Sequence, residues 1–269
     1  MYDFNYHEPK TLDEAAATLR ATRDGRFIAG GMSLIPALKQ RHIKLSDLID
    51  LRMIDGLSFV RREADAIVIG AMTRHVDVAD SELLRSTIPE LARLVGEMAD
   101  PSVRNRATLG GSIGHGDPAA DYPPALVALG ATVITNERTI VAEEFFVDAS
   151  TTALRRGEII KAVSFPIPDL ASYVKFANTT SRYAIVGVFV ARRGPVVRVA
   201  VTGAKACVFR LGAMETALQK SFMPDAITEI AVGPQALNAD IHATPEYRAH
   251  LIGVMAQRAV TSLMRPHAS

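Results

Sequence analysis

Phe27-Ile-Ala-Gly-Gly-Met-Ser-Leu-Ile-Pro36 sets the fold class of the N-terminal part of the chain. The apolar run at Phe27, Ile28 and Ala29 predicts a short buried strand, and Gly30-Gly31 predicts the turn that ends it. Ser33 is placed to cap a short helix through Leu34 and Leu38. Upstream, Thr11-Leu-Asp-Glu14 has the spacing of a capping box, and Leu12, Ala15, Ala16 and Leu19 follow at helical period. Downstream, Asp47 to Leu51 predicts another strand. The first 55 or so residues therefore form a small β-α-β-α-β unit.

The pattern changes after residue 55. Ala66 to Ala71 predicts a strand, Thr73 an N-cap, and Ile88 to Met98 a helix with Pro89 at its start. Leu109 to Pro118, with Gly110, Gly111, Gly114 and Gly116, reads as a loop. Asp121 is placed to cap a helix running from Tyr122 to Leu129 and closed by Gly130. Thr132–Thr135, Thr139–Ala142 and Glu158–Phe165 are predicted strands of the same domain, and Pro166 and Pro168 mark its end. Tyr173–Ala177, Ala184–Ala191 and Val196–Thr202 are strands of a second domain, the last two joined in a hairpin at Arg192-Arg193-Gly194-Pro195. A long helix runs from Pro245 to about Met264.

At 269 residues the chain suits about two domains of roughly 150 residues each. Apolar residues make up 48% and charged residues 22%, the balance of an ordinary globular protein. Thirty Lys and Arg against 29 Asp and Glu leave a net charge of +1, which argues against a dedicated nucleic-acid or membrane-surface binder. The single cysteine, Cys207, cannot by itself form an internal disulfide, a thiolate zinc site or an iron–sulfur cluster. Met1 to Lys10 lacks a secretory pattern, so a cytoplasmic location is expected. The longest nearly apolar stretch, Pro123 to Ile134, is too short to span a bilayer.

Two glycine-rich stretches carry the chemistry: residues 29–36 and Thr108-Leu-Gly-Gly-Ser-Ile-Gly-His-Gly-Asp-Pro-Ala-Ala-Asp121. Glycine lets a backbone approach a ligand closely, and consecutive N–H groups make an anion-binding nest. Ser33, Thr108 and Ser112 add hydroxyls. The chemistry is that of a phosphate or pyrophosphate cradle. On the residues alone, a plain tight turn and a long connection stand level with it. Neither stretch is a Rossmann fingerprint or a Walker A loop, which disfavours a nicotinamide dehydrogenase.

Ala29-Gly-Gly-Met-Ser-Leu-Ile-Pro36, Gly70-Ala-Met-Thr73, Arg104-Asn-Arg-Ala-Thr-Leu-Gly-Gly111 and Gly116-Asp-Pro-Ala-Ala-Asp121 follow one another as in a known family. So do Gly157-Glu-Ile-Ile160, Tyr173-Val-Lys-Phe176, Arg182-Tyr-Ala184 and Asp240-Ile-His-Ala-Thr-Pro-Glu-Tyr-Arg248. Over nearly its whole length the chain resembles the FAD-binding medium subunits of molybdenum hydroxylases, the carbon-monoxide dehydrogenase and xanthine dehydrogenase group. The resemblance implies an α+β fold. A PCMH-type FAD domain would span residues 1–168, in subdomains of about 1–55 and 56–168. A C-terminal domain with a three-stranded antiparallel sheet and helices would span 169–269.

The resemblance also implies site roles. Ala29, Gly30, Gly31, Met32, Ser33 and Leu34 would wrap the FAD pyrophosphate from one side, and Thr108, Gly110, Gly111 and Ser112 from the other. Asp121 would bond the ribose, a role compatible with its helix cap. Ile160 or Lys161 would touch the flavin ring, and Lys175 and Tyr183 would lie near the isoalloxazine. Ser112 stands where the family usually has Asn, and so loses one hydrogen-bonding group. His115 is read as an exposed loop histidine without a catalytic role. Covalent flavin links through His or Cys occur elsewhere in the PCMH fold, but Cys207 reads as a small core residue, so non-covalent FAD is expected.

The implied function is electron transfer within a heteromeric complex. A small partner would carry [2Fe–2S] clusters, a large partner would carry molybdopterin, and an external acceptor would take the electrons. The rival readings are a stand-alone PCMH-type FAD oxidoreductase and a scaffold subunit that has lost its flavin.

Overall fold

A computed structural model describes residues 1–264. The N-terminal unit is a three-stranded parallel sheet in the order Asn5–His7, Asp47–Asp50, Gly25–Ile28. The first of these strands is the leading strand of the predicted β-α-β-α-β order, though its residues carry little apolar signal of their own. The central strand is buried along its whole length, and its acids are paired. Asp47 accepts from Asn5 and bonds His7, while Asp50 accepts from Tyr6 and Arg52. The helix Leu12–Ala21 begins with the expected cap, Glu14 N–H donating to Thr11 Oγ1 at 3.1 Å. The return bond of the box goes one residue further out, from Lys10 N–H to the Glu14 carboxylate at 2.8 Å.

The second unit is a five-stranded antiparallel sheet in the order Val60–Glu63, Ala66–Gly70, Ile160–Pro166, Thr132–Thr135, Thr139–Val141. The strand latest in sequence is thus the central one. Helices from the intervening segment pack on this sheet, burying Leu91, Leu94, Val95, Tyr122 and Leu126 against Ile67, Ile69 and Phe165. The third unit is an antiparallel sheet of the three predicted long strands, Leu170–Ala177, Ala184–Arg193 and Val196–Thr202, extended by a two-residue strand at Phe209–Arg210. Gly194, at φ +55°, makes the predicted hairpin turn.

Period-two alternation explains how the third sheet is used. Val186, Val188 and Val190, with Val197, Val199 and Val201, face the helix Pro245–Met264 at Ile252, Met255, Ala256 and Val260. Phe189, Ala191, Ala200 and Tyr173 point the other way and belong to the same core as Phe165 and Leu91. The strand Ala184–Arg193 is therefore apolar on both faces, and one core runs across residue 168. No helix among the described residues is long and apolar enough to cross a membrane.

Several local expectations are corrected. Leu109–His115 is a helix rather than a loop. Its glycines disguised it, because intrinsic helix propensity is low for Gly. Thr73 does not cap a helix. Its hydroxyl bonds both the N–H and the carbonyl of Phe59 at 3.0 Å, and the next helix starts at His75. The predicted strand at Glu158 begins instead at Ile160. Glu158 is buried against Arg138 and the Thr135 hydroxyl.

Phe189 fills the junction between the second and third units. Phe189→Ala is expected to lower the unfolding free energy by about 3–5 kcal/mol. Urea unfolding followed by circular dichroism checks this, and a midpoint close to that of the parent chain would contradict the shared core.

Candidate functional site

The two glycine stretches meet across a cleft of about 870 Å³, toward the upper end of the roughly 300–1,000 Å³ of cofactor sites. Ala29, Gly30, Gly31, Met32, Ser33 and Leu34 form one wall, and Thr108, Gly110, Gly111 and Ser112 another. Asp121, Ile160, Tyr183 and His115 also line the cleft. Lys161 and Lys175 do not. Lys161 is exposed on its strand, where its carbonyl accepts from Ala71 N–H at 2.8 Å.

Close contact explains the glycines. A Cβ at Gly30 would lie 2.2 Å from the Arg106 carbonyl oxygen and 2.7 Å from Ala107 Cα, so here the first stretch touches, backbone to backbone, the residues that lead into the second. A Cβ at Gly110 would lie 2.7 Å from Ala71 Cβ. Gly31 sits at φ +75°, a conformation that favours glycine.

The two stretches differ in what they offer a ligand. None of the four consecutive N–H groups from Gly30 to Ser33 meets an acceptor among the described residues. The second stretch has spent its donors. Leu109 N–H goes to Thr73 O, Gly110 N–H to Ala71 O, Gly111 N–H to Thr108 Oγ1 and Ser112 N–H to Thr108 O. What remains on that side is bare glycine surface and the hydroxyl protons of Thr108 and Ser112.

Asp121 does not cap the helix that follows it. At 7% exposed, it accepts from the Tyr173 hydroxyl at 2.5 Å and from Lys175 Nζ at 2.8 Å. Burial pushes its carboxyl above the usual range, against the pull of the ammonium and the phenol. Burial and the adjacent carboxyl also raise Tyr173, which stays a neutral donor. Lys175, expected near a flavin ring, does not itself line the cleft; its Nζ donates to two residues that do, Asp121 and, at 3.1 Å, the Arg182 carbonyl.

Sequence reasoning missed part of the lining. Met98, Ala99, Asp100 and Val103 form one lip of the cleft, and Thr180 to Arg182 another. Arg104 Nη1 donates to the carbonyls of Met98 and Ala99, and Arg182 Nη1 reaches the same Ala99 carbonyl at 3.2 Å. Ala99 and Arg182 have φ of 44° and 61°, and a left-handed non-glycine residue leaves no mark in a sequence. His75, also missed, is 4% exposed with its ring edge-on to Tyr122, and burial takes its imidazole down to about 4. Cys207 lies off the cleft, its Sγ 3.9 Å from the Val147 carbonyl, and burial raises its thiol.

Lys175→Met would leave a buried carboxylate without its cation, at an expected cost of about 3–5 kcal/mol near neutral pH. With its value raised, Asp121 holds its proton more tightly in the folded than in the unfolded chain. Without the ammonium that value rises further, so the loss is full above the variant's folded value, fades as pH falls through it and is gone below the parent's. Urea midpoints at pH 5 and pH 8 check this. A deficit that does not change with pH would refute the pairing.

The chain was compared with known proteins. Residues 2–168 match the family model described as the FAD binding domain in molybdopterin dehydrogenase. The carbon monoxide dehydrogenase medium chain of Hydrogenophaga pseudoflava is 33% identical, with 96% of each chain covered. The nicotine 6-hydroxylase medium subunit of Paenarthrobacter nicotinovorans is also 33% identical, with 95% of each covered. Among solved structures, carbon monoxide dehydrogenase from Hydrogenophaga pseudoflava superimposes with a TM-score of 0.87 at 31% identity over 97% of both chains. Quinoline 2-oxidoreductase from Pseudomonas putida 86 gives 0.87 at 28% identity, again over 97% of both. With its family model, its full-length relatives and its fold in agreement, the chain belongs to the FAD-binding medium subunits of the molybdenum hydroxylases.

Proposed function

We propose that this chain holds FAD non-covalently in the glycine cleft and acts as the electron-transfer subunit of a cytoplasmic, heteromeric molybdenum hydroxylase. The observation that carries the reading is the run of unclaimed N–H groups from Gly30 to Ser33, which suits a pyrophosphate. FAD, when bound, supplies reversible one- and two-electron redox chemistry.

The chain's own residues bind, orient and enclose the cofactor. Gly30 to Ser33 donate to the pyrophosphate, Gly110 and Gly111 let it lie close, and Ser112 adds a hydroxyl. Asp121 keeps lone pairs free for a ribose hydroxyl after accepting from Tyr173 and Lys175. In this reading Lys175 orients Asp121 rather than facing the ring. Ile160 supplies an apolar wall, and half-exposed Tyr183 stands at the cleft mouth. Residues 1–168 serve as the cofactor domain, in parts of about 1–55 and 56–168, and 169–269 as a C-terminal domain that closes the cleft.

The relatives are medium chains or subunits by name, which supports a multi-subunit assembly here as well. A chain with one cysteine holds no cluster of its own. As the family membership implies, electrons come from a small subunit with [2Fe–2S] clusters, fed by a large molybdopterin subunit, and leave to an external acceptor.

The purified chain is expected to show the two-band visible spectrum of a flavin and to release FAD on denaturing precipitation. Colour that stays with the precipitate would overturn non-covalent binding, and a colourless chain that refuses added FAD would overturn the reading itself. Gly111→Val would crowd Thr108 Oγ1, 2.9 Å from the new Cβ, and Ala29 Cβ at 3.5 Å. It should lose the flavin while the far-ultraviolet dichroism is retained.

A further inference from the structure

The stretch Asp240–Arg248 takes no part in lining the cleft. Arg248 lies on the helix Pro245–Met264 and is only 3% exposed. Its Nη1 donates to the carbonyls of Ile185 and of Gly203, the latter at 2.7 Å, and its Nη2 to the Asp240 carboxylate at 2.6 Å. A buried guanidinium is costly unless its donors are used. Both Nη groups are used to gather one corner of the third sheet, while Nε meets no acceptor among the described residues. Gly203 sits there at φ +81°, so tightly that a Cβ would lie 2.4 Å from the Ala184 carbonyl oxygen and 2.8 Å from that of Ile185.

From that corner, bonds cross to the cleft wall. Gly203 N–H donates to Pro118 O at 2.8 Å, and the Thr202 hydroxyl bonds Pro118 O at 2.9 Å and Ala120 O at 2.8 Å. Ala184 N–H reaches Ala119 O at 3.4 Å. The segment so gripped carries Asp117 and Asp121 on the cleft lining, and Ala184 directly follows Tyr183.

We infer that Arg248 is a positioning residue for the cofactor cleft. Its guanidinium fixes the Ile185–Gly203 corner, and the corner sets the 117–121 wall and Tyr183. The ligand part of this inference rests on the FAD reading. The wall part does not.

The test uses the full chain with two readouts: deuterium uptake without flavin, and FAD titration followed by flavin fluorescence. Arg248→Met is compared with Glu215→Gln. Glu215 holds Arg210 and Val199 N–H in the same sheet without touching the cleft wall. Arg248→Met is expected to speed exchange in peptides covering 117–121 but not in those covering 29–34, and to weaken FAD binding about tenfold. Glu215→Gln should do neither. Unchanged exchange at 117–121, or equal effects from Glu215→Gln, would overturn the inference, as would FAD affinity within twofold of the parent. If Arg248→Met does not fold, Asp240→Asn decides, with the same exchange pattern and about threefold weaker FAD binding expected and no change overturning it. Should the parent chain take up no FAD, the FAD reading falls and the exchange pattern alone judges the strut.

Discussion

The backbone of Gly30 lies against the backbone of Arg106 and Ala107 with no room for a single carbon between them. The cleft is arranged around that contact. It joins the parallel N-terminal unit to the antiparallel second unit at one edge of the cleft, so the cleft is a seam between two small folds. Neither unit alone supplies both walls. A side chain at position 30 would separate the units as well as fill space.

The C-terminal part closes the same seam from a third direction. Its strand Ala184–Arg193 is apolar on both faces because it serves two cores, one under the helix Pro245–Met264 and one shared with the second unit. Its polar ends do the local work. Thr202, Gly203 and Ala184 hold the carbonyls of 118–120, while Tyr173 and Lys175 reach under the wall to Asp121. The fold thus places hydrophobic contacts where they unite the units and hydrogen bonds where they shape the cleft.

Much of this was legible in the sequence, for physical reasons. Strong periodicities gave the long strands, the hairpin at Gly194 and the last helix, and the paired glycines marked both walls. What stayed hidden depends on tertiary context. The helix Leu109–His115 forms against its glycine content because Thr108 caps it and Gly110 packs on Ala71. Asp121 has the sequence position of a cap, yet Tyr173 and Lys175, more than fifty residues away, claim its carboxylate. Ala99 and Arg182 line the cleft in left-handed conformations that their side chains do not advertise. Asn5–His7 is a strand only because Asp47–Asp50 gives it an edge to join.

The donors of Gly30 to Ser33 belong to peptide bonds rather than side chains. A peptide N–H has no proton to lose across the physiological range, so on the FAD reading this part of the hold on the cofactor would not titrate. Nor does it reside in any residue's identity, provided the turn keeps its course. On the FAD reading the anion contact would therefore not depend on the side chain of Met32, whereas Leu34 packs against the core of the N-terminal unit. The heritable requirement is a backbone path, written mainly by the glycines.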